Sequence, residues 1–162
     1  MAQTNIYLKL EDLPGESVDD LHKNWIEIEC FTWGVHNPAS FAIGQGGQAT
    51  QATVANIDID KRCDKSSVAM FKACTTGKHI KKGIISCLKL DGETRIEYLK
   101  LELTDIMVSD FKWEGRGEDQ LVKEKVSLCF AEFKETYKLQ EDTGSSGGGT
   151  DFGFNVQTSK AT

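Results

Sequence analysis

The residues whose types could do chemistry fall into a few groupings, and each lacks a piece that its chemistry needs. Cys74 and His79 pair a nucleophile with a base, but Gly77 lies between them as a helix stop and no orienting acid is evident nearby. Gly44-Gln45-Gly46-Gly47 is the one candidate phosphate cradle. It lacks the Lys-Ser/Thr that completes a phosphate-binding loop, and no helix pattern follows to aim a positive end at an anion. His22, His36 and His79 are scattered without a carboxylate or thiolate at ligand spacing, so no metal site is expected. Glu27 and Glu29 share a strand face and have the types for acid and base work, yet exposed carboxylates on a strand are ordinarily solvated. The cysteines, Cys30, Cys63, Cys74, Cys87 and Cys129, are odd in number and lack paired CxxC spacing. They read mostly as small core hydrophobes rather than as a disulfide framework. A chain this poor in reactive constellations is expected to bind or build rather than catalyse, and no cofactor is expected.

The elements that must position these residues read as strands almost throughout. Ile6, Leu8 and Leu10 alternate with Tyr7 and Lys9, and Leu13-Pro14-Gly15-Glu16-Ser17 then breaks the run. From Trp25 to Trp33 the apolar face begins with Ile26, Ile28 and Cys30, but Phe31 and Trp33 fall on the opposite parity. That phase shift implies a bulge or burial on both faces. Residues 34–51 contain Pro38, Gly44, Gly46 and Gly47, with Phe41 and Ile43 as their large apolar residues. They read as an extended loop, and a loop of that length is expected to make contacts outside its own domain.

A strand follows over residues 53–60. Residues 64–77 predict the one helix: Asp64 or Ser66 caps its first turn, Val68, Phe71 and Cys74 form its apolar stripe, and Gly77 ends it in the left-handed conformation. Strands over 80–90 and 94–103 flank an Asp91-Gly92 turn, a strong hairpin signal. Further strands over 106–113 and 122–133 flank a polar turn, and the phase shifts again at Phe133 and Tyr137, which implies more than one core. Residues 142–150 are Gly/Ser-rich and read as a flexible linker before a terminal strand over 152–157 tied back onto the sheet. About eight or nine strands at hairpin spacing with one helix predict a mainly β fold, a closed or sandwich-like antiparallel barrel.

The 162 residues, 39% hydrophobic and 27% charged, suit a single domain over 1–162. No run approaches the roughly 18 apolar residues of a membrane-spanning helix, so no membrane insertion is expected. The first residues lack a basic head and an apolar stretch, which predicts no signal peptide and folding in the cytoplasm. A net charge of −6 argues against a nucleic-acid partner. The charge is also uneven. Before residue 31, Glu11, Asp12, Glu16, Asp19, Asp20, Glu27 and Glu29 face only Lys9 and Lys23. Between 61 and 82, Lys61, Arg62, Lys65, Lys72, Lys78, Lys81 and Lys82 face only Asp64. Complementary ends of this kind suit a self-assembly whose fields orient the approach.

Several segments together carry a family resemblance. They are Ile6 to Leu10 with Pro14-Gly15-Glu16-Ser17, Phe31-Thr32-Trp33-Gly34 before the Gly-rich loop, and Asp64-Lys65-Ser66-Ser67 leading to Ala73-Cys74-Thr75-Thr76-Gly77-Lys78-His79. Glu97-Tyr98-Leu99, Gly117-Glu118-Asp119 and Phe152-Gly153-Phe154-Asn155-Val156 complete the set. In this order the chain resembles, from end to end, the haemolysin-coregulated protein (Hcp) family of bacterial type VI secretion. The resemblance implies an antiparallel two-sheet β-barrel with one flanking α-helix. It also implies a homohexameric ring, with rings stacked into the inner tube of a contractile machine and secreted without a signal peptide.

The partners so implied are further copies of the chain, effectors carried in the ring lumen, and the tip spike and contractile sheath proteins. Thr32 corresponds to a lumen-facing position. The 34–51 loop, with Phe41, Gly44, Gly46 and Gly47, corresponds to one that reaches the next ring or a neighbouring subunit. The number six comes from the resemblance alone. Two other classes stand beside it: a monomeric barrel that binds a small apolar ligand in its interior, and a Cys-dependent enzyme.

Overall fold

The structure, a computed structural model, describes residues 5–41, 47–48, 50–140 and 146–162. The chain opens with β1 (Ile6–Leu10), β2 (Ile26–Glu27) and β3 (Cys30–Thr32). The short pieces β4 (Val35–His36), β5 (Ser40–Phe41), β6 (Gly47–Gln48) and β7 (Thr53–Val54) follow, then β8 (Ile57–Arg62) and α1 (Ser67–Thr76). The long strands β9 (His79–Asp91), β10 (Thr94–Glu114) and β11 (Lys123–Gln140) precede β12 (Ser146–Asn155) and β13 (Lys160–Ala161). The fold is mainly β with one helix, as the periodicity predicts.

One sheet runs β13-β12-β11-β10-β9-β1-β2, and β11 also pairs β8, which in turn pairs β3. Its ladder is not continuous around the ring, but residues 26–32 bridge the two edges. They pair with β1 at Ile26 and Glu27 and with β8 at Cys30 to Thr32. Between those pairings the Ile28 N–H donates to the Ile6 carbonyl at 3.1 Å and the Glu29 N–H to the Asp60 carbonyl at 2.9 Å. The phase shift in the sequence falls at this change of partner, where Glu29 and Cys30 are both exposed. Leu8, Ile26, Ile57, Ile85, Ile106 and Leu128 fill the interior so enclosed.

The long strands change face midway. In β10, Ile106 and Val108 are buried on one side of the bend, Leu101 and Leu103 on the other. Asp105 carries the change in the left-handed region, at φ 53. The matching flip in β11 lies between Leu128 and Phe133. The two strands expected over 94–103 and 106–113 are therefore one strand, bent rather than interrupted. The hairpin before it turns on Gly92 and Glu93, with Gly92 at φ 60 and Asp91 already paired with Thr94.

The helix stops as its sequence predicts, with Gly77 at φ 65 and its N–H on the Ala73 carbonyl. Its buried face differs from the expected stripe of Val68, Phe71 and Cys74. Ser67, Met70 and Ala73 point inward, while Val68 and Phe71 are exposed and Cys74 is half-buried. That face combines the apolar Met70 and Ala73 with a polar tie, the fully buried Lys61 ammonium donating to the Ser67 hydroxyl at 3.2 Å. The same Nζ donates to Glu124 Oε2 at 2.6 Å and Asp64 Oδ1 at 3.0 Å, and Trp113 Nε1 donates to Glu124 Oε1 at 2.9 Å. The network ties β8, β10, β11 and the helix start together.

Two other expectations change. Residues 34–41, 47–48 and 50–55, which hold the described part of the expected loop, form a paired arm rather than a plain loop, because Val35 and His36 pair with Val54 and Thr53, and Ser40 and Phe41 with Gln48 and Gly47. Of the expected linker 142–150, residues 146–150 belong to β12, which pairs along β11. Residues 142–145 lie outside the described residues.

Candidate functional site

Thr32 closes β3 on the outer face of the barrel, and the ladder fixes its neighbours. It lies opposite Asp58 of β8, which lies opposite Ser127 of β11, which lies opposite Asp110 of β10. The Ser127 hydroxyl donates to Asp58, and Asn56 Nδ2 donates to the Ser109 hydroxyl at 3.2 Å. One residue along, Phe31, Ile59, Val126 and Phe111 make the inward row. Period-2 alternation thus gives this wall a polar outer surface with Thr32 on it.

The arm sets Phe41 at 88% exposure. Gly47 pairs with it in the ladder, while Gly44 and Gly46 lie outside the described residues. Thr32 and the arm share an origin in the chain that leaves β3, so the sequence-predicted residues fall on two surfaces rather than in one site.

A third surface was not singled out from the sequence. Beyond the Asp105 bend, β9, β10, β11 and β12 form a four-stranded half-sheet. Phe133 is buried at its base, with Trp33 and Phe154 half-buried against it at centroid distances of 4.8 and 6.0 Å. Further out Tyr137, Leu139, Phe152 and Leu90 are 44, 53, 47 and 68% exposed. The phase shift at Phe133 and Tyr137 was its signal in the sequence.

The groups with reactive types are occupied. Asp19, His22 and Ser86 line up as a hydrolase triad would: His22 Nδ1 lies 3.0 Å from Asp19 Oδ1 and Nε2 3.0 Å from the Ser86 hydroxyl. That hydroxyl donates to Glu97 Oε2 at 2.5 Å rather than to His22, and Ser86 is fully buried, so its oxygen has no room for a substrate. Burial alone would raise the Asp19 carboxyl. The hydrogen bond with His22 and the adjacent Arg95 guanidinium outweigh it and hold the group below the usual carboxylate range. The network fastens the 15–25 loop to β9 and β10.

The remaining candidates are equally committed. Burial and the nearby Glu97 push the Cys87 thiol up to about 11, far from a thiolate nucleophile. It is the one fully buried cysteine; Cys30 is exposed and Cys63, Cys74 and Cys129 are half-buried, so most are not the core residues expected. His79 does have an orienting acid, Asp105 at 2.7 Å, but no hydrogen bond joins it to Cys74 among the described residues. Glu29 pairs with Arg62 on the surface. Lys61 and Glu124 went unnoticed, although parity marks them: Lys61 shares the inward face of Ile57 and Ile59, and Glu124 that of Val126 and Leu128.

A barrel whose reactive groups are tied into its framework, and whose apolar surplus lies on an arm and an open sheet, belongs with proteins that work through surfaces. Comparison with known proteins gives the class its name. The family described as "Type VI secretion system effector, Hcp" matches residues 7–137. The protein hcp1 of Pseudomonas aeruginosa is 31% identical over 154 residues, which cover 94% of this chain and 95% of that one. The crystal structure of Hcp1 from Salmonella typhimurium superposes with a TM-score of 0.81 at 32% identity, covering 97% of each chain. A structure described as that of a type six secretion system protein superposes at 0.91 with 26% identity, covering 99% of this chain and all of that one. The chain belongs to the Hcp family of type VI secretion.

Proposed function

We propose that this chain is the tube subunit of a type VI secretion machine. Six copies close a ring, rings stack into a tube, and the tube is propelled out of the cytoplasm with effectors in its bore, between a tip spike ahead and a contractile sheath around it. The role is to build and carry; no step of catalysis belongs to it.

The observation that carries this reading is the half-sheet, whose two edges are largely uncovered among the described residues. On one side β13 covers β12 at Phe154 and Asn155 and the Thr162 N–H donates to the Gly153 carbonyl at 2.9 Å, which leaves residues 148–152 without a neighbouring strand on that side among those described. On the other, β1 covers β9 as far as Cys87 among the described residues, and the Leu88 N–H donates one more bond to the Asn5 carbonyl at 2.7 Å. Unpaired edges of this length are templates for another chain. Four antiparallel strands leave the two edges running in opposite directions. Joining the β12 edge of one copy to the β9 edge of the next therefore continues the antiparallel ladder. Such a contact is heterologous, and repetition closes it into a ring. The exposed Tyr137, Leu139 and Phe152 lie beside that junction and would be covered by it.

The polar wall around Thr32 suits a wet bore, and the arm with Phe41 suits a contact with an adjacent ring. The interior filled by Leu8, Ile57 and Ile106 leaves the small-ligand barrel without a chamber. Electron microscopy of the purified full chain tests the reading. Rings with a central hole are expected; monomers alone, across micromolar concentrations in sedimentation, would overturn it.

A further inference from the structure

The open edges leave two other exposed apolar surfaces unexplained, and their chemistry is complementary. The first is the loop over residues 15–25. It is a built element: Gly15 N–H donates to the Asn24 carbonyl at 2.8 Å, Asn24 N–H to the Ser17 carbonyl at 2.8 Å, and Ser17 N–H to the Trp25 carbonyl at 3.0 Å. Asp19 pairs with Arg95 and His22 with Ser86, which pin it to β10 and β9. Yet its tip carries Val18 at 89% and Leu21 at 70% exposure. Exposed Glu16 and Asp20 flank them, with Glu11 and Asp12 at the loop's foot and Lys23 and Lys9 as the nearby bases. Fixing a loop costs entropy, and here the result is two apolar side chains displayed in water on an acidic mount.

The second surface is the outer face of α1. Val68 is 73% exposed and Phe71 45%. Phe71 stacks on Trp113, itself 51% exposed, at 5.2 Å and meets Phe111 edge-on at 5.6 Å. Lys65, in the turn that leads into α1, and Lys72, one helical turn after Val68, are exposed and without an ion pair among the described residues. The acids on this end, Asp110 and Glu114, are already paired with Lys112 and Arg116.

We infer that the 15–25 loop of one copy docks on the outer face of α1 and its Phe71–Trp113 pair in a second copy, with Val18 and Leu21 seated on the aromatic surface and Glu16 and Asp20 facing Lys65 and Lys72. The inference rests on the tube reading, because it assigns a further contact of the same self-assembly. The two surfaces do not cover one another within a copy, as their exposures show, so the contact is heterologous and repeats along the assembly. Opposite charges around apolar centres set the register and speed the encounter. Anchoring by Arg95 and Ser86 means that little further ordering is needed on docking.

Sedimentation velocity and electron microscopy of the full chain decide it. A wild type that stays monomeric overturns the tube reading and this contact with it. With an assembled wild type, Glu16→Lys/Asp20→Lys is expected to weaken ring formation or ring stacking at least tenfold, and Lys65→Glu/Lys72→Glu to do the same. Combining all four substitutions restores assembly. Val18→Ser/Leu21→Ser, which removes no charge, weakens assembly to a similar degree. Each substituted side chain is exposed, and circular dichroism confirms that the variants fold. Undiminished assembly in either charge-reversed variant, or a fourfold variant no better than its parents, overturns the docking while the tube reading stands.

Discussion

The same two strands lead different lives on either side of Asp105. Below the bend, β10 and β11 belong to the barrel bridged by residues 26–32, where Ile106, Val108, Val126 and Leu128 are sealed and even a lysine is fully buried with its partners. Above it, they belong to a half-sheet whose edges are only partly covered by strands among the described residues and whose outer apolar residues meet solvent. The first half seals its apolar core within one copy, although the outer face of α1 and Trp113 stay exposed. The second leaves strand edges and apolar surface unfinished, and a second copy of the chain can supply what is missing. The fold's closed core and the proposed association surface thus share one hairpin, separated by a change of inward parity.

The largest effect is expected in the closed half. Lys61→Met removes a cation from a pocket that holds the fully buried Glu124 carboxylate, leaving Trp113 Nε1 as its remaining partner among those described. Breaking a buried pair on one side costs about 3–5 kcal/mol, a large part of the roughly 5–15 kcal/mol that holds a domain together. Urea unfolding should show that loss, and Lys61→Met/Glu124→Gln should recover part of it by discharging the orphaned carboxylate. A single variant as stable as wild type would mean that the network is not what closes the barrel.

The open half should respond in the reverse manner. Phe152 contacts Phe133 and Phe154 at centroid distances of 6.0 and 6.3 Å but leaves half its surface in water. Phe152→Ser should therefore cost the protomer about 1 kcal/mol of burial. Removing an aromatic anchor from an interface costs about 2 kcal/mol, which is roughly thirtyfold in dissociation. Measured side by side, unfolding should barely move while the assembly dissociates at higher concentration. If stability falls and assembly does not, the exposed rings serve the fold and the contrast between the halves disappears.

Alternation made the barrel half easy to read: Ile57 and Ile59 against Asp58 and Asp60 fix which way β8 faces, and Gly77 fixes where α1 ends. The helix's inward face was not legible, because it carries the polar Ser67 and the small Ala73 beside Met70, and Ser67 answers to a lysine that looks like a surface residue by type. Parity alone gives Lys61 away. The arm escaped because its pairs are Val35 with Val54 and His36 with Thr53, too few and too polar to show a period. Residues 146–150 escaped for a similar reason: Gly147, Gly148 and Gly149 have a linker's composition, and only the adjacent β11 backbone makes a strand of them. Of the candidate site, Thr32 and Phe41 come from the family resemblance alone, whereas the half-sheet shows in the sequence only as a phase shift at Phe133 and Tyr137.

The smallest effect on the fold, and the sharpest on function, belongs to Thr32. Its side chain is exposed on the polar wall, opposite Asp58, and nothing of the core depends on it. Thr32→Gln should leave stability within about 0.5 kcal/mol of wild type and leave both the edge contact and the barrel intact. If this wall lines the bore, a longer amide at every copy lies in the path of whatever travels inside, repeated around the ring. Effector retained on the purified assembly should then drop severalfold while ring size stays constant. The comparison that decides it is with Phe152→Ser: one variant should lose cargo and keep rings, the other lose rings first. Cargo retained in full by Thr32→Gln rings would place the polar wall elsewhere than the bore.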